Sequence, residues 1–172
     1  MNVAFPAWAV AAALEEDEAD IEEACDEVAR RVNFVRRAGQ DELPDGTRSA
    51  FYVFAHGLYR EVLYQRQSAA RRARRHRHIA ERLAQLFAGR EVNVAQEMVM
   101  HYEGAGDWVR AIEVLRSAAR HAHQRRASSE AEAMLQHALR LAENLPTSQR
   151  QAMDEEIRSQ FGAIGEAVIP SA

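Results

Sequence analysis

Residues 51–83 read FYVFAHGLYREVLYQRQSAARRARRHRHIAERL, and three kinds of local structure follow one another in them. Ala50–Ala55 is rich in aromatic and β-branched residues, which predicts a strand. The strand breaks at His56-Gly57, and a helix runs from there to about Gln65. Gln67-Ser68 is a short polar joint, with Ser68 placed to cap a second helix over about Ala69–Phe87. Ala69, Ala73, His76, Ala80, Leu83 and Phe87 alternate in steps of four and three, so they share one face.

Upstream, Pro6–Leu14 reads as a short helix and Glu18–Arg31 as a second. Ile21, Ala24, Cys25, Val28 and Val32 supply the expected buried stripe of that second helix. Val32–Arg37 predicts a strand, and Leu43-Pro44-Asp45-Gly46 a turn that returns the chain to Ala50–Ala55. Two helices followed by such a hairpin form the C-terminal part of a winged-helix domain, with the hairpin as the wing.

Downstream of Gly89-Arg90 the pattern is helical throughout. Helices are expected over 92–103, Asp107–His123, Ser128–Asn144 and about Ser148–Ala163. Gly104-Ala105-Gly106-Asp107 is a tight helix–helix turn, with Asp107 as N-cap. Residues 111–122 (AIEVLRSAARHA) echo residues 131–142 (AEAMLQHALRLA), with alanine and leucine at matching places. Small residues at such places let helices stack closely, as in helical-hairpin repeats. The expected architecture is therefore mainly α: a partial winged helix over 1–66, then an antiparallel, tetratricopeptide-like array over 68–172.

Composition bounds the chemistry. The chain has 172 residues, is 47% hydrophobic and 28% charged, and carries a formal charge of −4, as ordinary soluble domains do. Its charge is unevenly placed: Glu15–Glu27 holds nine acids and no base, whereas Arg60–Arg82 holds eight arginines and two acids. Every basic residue is arginine. Without lysine there is no Schiff base, no phosphate-loop lysine and no Ser–Lys dyad. Cys25 is the only cysteine, so no intrachain disulfide forms and a reducing cytoplasm is the expected setting. Residues 3–14 are too short a run, and lack the basic start, for a signal peptide or a membrane span.

Three candidate sites arise. Arg71, Arg74, Arg75 and Arg82 could bind a partner, and the whole Arg60–Arg82 region could bind nucleic acid. Readers of single strands interleave aromatics with their bases, and none lies between Gln65 and Leu86. In a DNA-binding winged helix the second helix enters the groove, but here it carries Glu18, Asp20, Glu22, Glu23, Asp26 and Glu27. Nucleic acid is thus the disfavoured partner. The histidine pairs 76/78 and 121/123 are two apart, the wrong spacing for a helical metal site. His56 stands where a strand ends and a helix begins, a place that can face an anion.

The pattern Tyr52-x-Phe54-x-His56-x-Leu58-x-x-Glu61-Val62-Leu63-Tyr64, continued by Arg71-x-x-Arg74-x-His76-x-x-Ile79-x-x-Arg82-Leu83, resembles the winged-helix end of bacterial STAND-type regulatory ATPases. Gly106-Asp107-Trp108-Val109-Arg110-Ala111-Ile112 is similar to the start of the helical array that follows it there. The resemblance spans about Phe5–Ala163. It implies a non-catalytic regulatory and protein-interaction segment of a signalling ATPase or transcriptional regulator, often joined to cyclase-like or DNA-binding output domains. It implies that His56 contacts ADP phosphates bound to a nucleotide domain, and that the array receives a protein or small-ligand signal. The chain has no phosphate loop, so ATP or ADP belongs to that missing domain and the chain is expected to be part of a longer protein. A free-standing helical adaptor that self-associates is the remaining alternative.

Overall fold

The computed structural model describes residues 4–166, with side chains described to residue 162; the last six residues of the expected array lie outside the described residues. The chain divides into two compact units, Met1–Ala88 and Gly89–Ala172. The join therefore falls at the Gly89-Arg90 break and not at 66–68, because the arginine-rich helix packs on the first unit.

The first unit opens with strand β1 (Ala4–Pro6), then helices α1 (Ala7–Leu14) and α2 (Glu18–Arg31). Strands β2 (Val35–Glu42) and β3 (Arg48–Phe54) form the hairpin, and helices α3 (Gly57–Gln65) and α4 (Ala69–Leu86) follow. The sheet is antiparallel in the order β1-β3-β2, with Phe5 opposite Tyr52 and Val35 opposite Phe54. β1 was not foreseen: Pro6 ends a strand against Phe51 before the helix begins. Three residues are too few to show alternation. β2 lies downstream of the expected 32–37 strand, because Asn33 takes a left-handed backbone (φ 53°) that interrupts it. Asn tolerates that region better than most residues. Almost all of β2 is exposed, so backbone pairing with β3, rather than an apolar face, makes it a strand. In the turn, Asp45 accepts from the Thr47 backbone (3.0 Å) and hydroxyl (2.5 Å), and Gly46 supplies the positive φ of 84°.

Ala7, Ala11, Ile21, Val35, Ala50 and Tyr52 form the core, with Phe5, Val10, Cys25, Ala29 and Phe54 against it. The expected stripe of α2 holds only at Ile21 and Cys25; Ala24, Val28 and Val32 are exposed. Glu22 and Asp26 turn inward instead, toward the Ala50 N–H and the Tyr52 hydroxyl. Under the sheet, the buried Ser49 hydroxyl accepts from the Trp8 backbone N–H at 3.1 Å, tying the first turn of α1 to β3. α4 buries Ala80, Leu83 and Leu86, and its Ser68 hydroxyl caps the Arg71 N–H at 3.3 Å.

The second unit begins with a 3-10 turn (Glu91–Val94), followed by α5 (Ala95–Ala105), α6 (Trp108–Gln124), α7 (Ser128–Ala142) and α8 (Thr147–Glu166). Gly106 (φ 70°) closes α5 and the Asp107 carboxylate caps α6 by accepting from the Arg110 N–H. The most extensive helix contact is between α6 and α7. α6 buries Ala111, Ile112, Leu115, Ala118, Ala119 and Ala122, and α7 buries Ala131, Leu135, Ala138, Leu141 and Ala142. The echo between 111–122 and 131–142 thus falls on the buried residues of two helices that pack on each other, where small residues allow close approach. α8 returns to α6: Arg116 pairs with Glu156, and Gln160 Nε2 donates to the Arg116 carbonyl at 2.9 Å.

Candidate functional site

His56 is the N-cap residue of α3, with extended backbone and no side-chain cap bond. Its ring is exposed and meets the Tyr59 ring edge-on at 5.6 Å between centroids. Tyr59 in turn leans on Phe34 at 4.7 Å. The histidine therefore stands at the positive end of a helix dipole with both ring nitrogens free of a cap bond.

The arginines of α4 separate into two groups. Arg72 Nη1 donates to the Gln67 carbonyl at 2.7 Å and lies over the Tyr64 ring at 5.2 Å. Arg75 Nη1 donates to Gln67 Oε1 at 2.7 Å, and Arg82 reaches Asp45 in the hairpin turn at 3.6 Å. These three hold α4 to its neighbours. Arg71, Arg74 and Arg77 are exposed and have no ion pair among the described residues. Of the four candidate arginines, Arg71 and Arg74 thus share the outer face, while Arg75 and Arg82 are engaged within the chain. His76 is half-buried and its Nε2 lies 3.3 Å from Tyr64 Oη. Burial first, and Arg72 second, hold its pKa below the usual histidine value.

Two acids of α2, Glu22 and Asp26, form a polar cluster with the hairpin. Asp26 accepts from Tyr52 Oη at 2.8 Å and from Arg37 Nη1 at 2.9 Å. Glu22 accepts from the Ala50 backbone N–H at 2.8 Å, and its other oxygen lies 3.6 Å from Arg37. Burial, then Asp26, push the Tyr52 hydroxyl well above the usual tyrosine range. Burial, then Asp26 and Glu22, push the Cys25 thiol up, which makes it a poor nucleophile. The cluster is an internal tie: its acceptors already have donors from the same chain.

In the second unit a cleft of about 600 Å³ opens between α5 and α7, with α6 as its floor. Val99, Met100, Leu115 and Met134 supply its apolar surface, and Met100 is 54% exposed. His137 Nε2 meets Glu103 Oε1 at 3.0 Å across the rim. The sequence carries a signal for this cleft that alanine matching missed: Met100 and Met134 are 34 residues apart, as are Glu103 and His137. Among the described residues no group of three His, Cys, Asp or Glu is placed to hold a metal ion, and no helix is long and apolar enough to cross a membrane.

No protein-family model, curated protein or solved structure matches the chain.

Proposed function

We propose that the chain is a non-catalytic regulatory and protein-interaction segment of a STAND-type signalling ATPase or transcriptional regulator. The observation that carries this reading is the order β1-α1-α2-β2-β3 with β3 central, an order compatible with a winged helix from its first strand onward. His56 follows at the exit of the wing, where a free imidazole and a helix N-terminus face outward together. In this reading a neighbouring nucleotide domain presents ADP phosphates to His56, and release of that contact is the switch. The helices beyond Gly89 are a tetratricopeptide-like array, supported by the 34-residue spacing across the α5–α7 cleft. Its methionine-lined cleft suits an apolar segment of a protein or a small ligand.

The test uses the chain alone. It should neither hydrolyse ATP nor gain thermal stability from ADP. Turnover abolished by a point substitution in this chain would overturn the reading.

A second reading, binding of nucleic acid by the Arg60–Arg82 region, rests on the exposed and unpaired Arg71, Arg74 and Arg77. It predicts binding that weakens steeply with salt, and the absence of any salt-dependent binding to duplex or single strands removes it.

A further inference from the structure

The helix α3 buries no residue. Leu58 is 69% exposed, Val62 46% and Leu63 48%; Leu58 and Val62 lie one turn apart on one face of the helix, and Leu63 lies to the side of Val62. Arg60 on α3 and Arg66 at its C-cap are exposed, as are Arg71, Arg74 and Arg77 on α4. None of these five has an ion pair among the described residues. Within the same unit, the outer face of α2 has the opposite character: Asp20, Glu23 and Glu27 are exposed beside Ala24 and Val28. Among the described residues only Glu27 of these three has an ion pair, with Arg31 at 2.8 Å.

We propose that a second copy of the chain covers the α3–α4 face with the acidic outer face of its own α2. Both faces expose apolar side chains that water disfavours, and each carries the charge the other lacks. Pairing α3 with α3, or α2 with α2, would set like charges together, so each contact joins the α3–α4 face of one copy to the α2 face of another. Made once per pair it is head-to-tail, made reciprocally it closes a two-fold dimer, and either way association rises with concentration. The charged part of the contact weakens with salt. The inference stands apart from the nucleotide reading: a monomeric chain would remove it and leave that reading intact.

Sedimentation velocity of the full chain tests it, with circular dichroism to confirm that each variant is folded. The wild type should associate progressively at low salt. Leu58→Ser combined with Arg71→Gln should be monomeric, as should Asp20→Asn combined with Glu23→Gln, each with a dissociation constant raised at least about tenfold. Mixed together, those two variants should form a one-to-one complex and stop there, because each keeps one working face. A wild type that stays monomeric overturns the proposal, including one that instead binds duplex DNA through the same arginines. So do folded variants that still self-associate, and a mixture that forms no complex.

Discussion

The Tyr52 hydroxyl donates to Asp26 at 2.8 Å, and through that bond the central strand holds the acidic helix. Arg37, on the neighbouring strand, reaches the same carboxylate at 2.9 Å, so one acid ties α2 to both strands of the β2–β3 hairpin. Tyr52→Phe removes the hydroxyl and leaves Asp26 its arginine. The expected loss is about 1–2 kcal/mol of stability, read from urea unfolding. A loss near zero would show that the bond does not hold the two elements.

The same tyrosine should show itself in alkali. Its folded pKa is raised, so the protonated form is the one the fold favours. That contribution is fully present below the ordinary tyrosine pKa of about 10 and is lost as pH rises beyond it. Of the four tyrosines, one should resist ionisation until the chain unfolds, and ultraviolet titration of Tyr52→Phe should lack that late step. Cys25, raised for related reasons, should react with iodoacetamide more slowly than a free thiol at neutral pH.

His76 predicts a dependence at the other end of the scale. Its folded pKa is lowered, so the neutral ring is favoured. The stabilisation is present above the unfolded value of about 6.5 and is lost as pH falls through the lower folded value. His76→Gln keeps a polar partner for Tyr64 without titrating. Between about pH 7.5 and about pH 5, the wild type should lose more stability than this variant in parallel unfolding curves. Equal losses would contradict the assignment.

The α6–α7 turn carries a removable strain. Arg126 holds a φ of 61°, while its N–H donates to the His123 carbonyl at 2.8 Å. A left-handed backbone costs a non-glycine residue about 1 kcal/mol or more. Arg126→Gly should therefore leave the helices in place and raise stability by a few tenths to about 1 kcal/mol in thermal unfolding. A destabilised variant would mean that the arginine side chain contributes more than its backbone costs.

What could be read in the sequence follows from where the physics is local. Ser68, Asp107, Gly106 and the Asp45-Gly46 turn act on their immediate neighbours, and the elements they bound lie close to expectation. Ile21 and Cys25 were legible on α2, but Glu22 and Asp26 were not. Their inward turn is set by the Ala50 N–H and the Tyr52 hydroxyl, partners some thirty residues away that no helical period reveals. Ala24 and Val28 then face out although they are apolar. The split among the arginines was hidden for the same reason: Gln67 and Asp45 select Arg75 and Arg82, and periodicity treats all of them as one charged face. The cleft was missed because alanines dominate the α6–α7 contact, whereas the cleft follows the rarer methionines.

The proposed role depends on a nucleotide domain joined to this wing. The most direct measurement is the sequence of the transcript that encodes the chain, upstream of Met1. The account predicts an open reading frame that supplies a glycine-rich phosphate loop with its lysine, a residue this chain lacks altogether. A frame closed by a stop codon immediately before Met1, with no such loop, would contradict it.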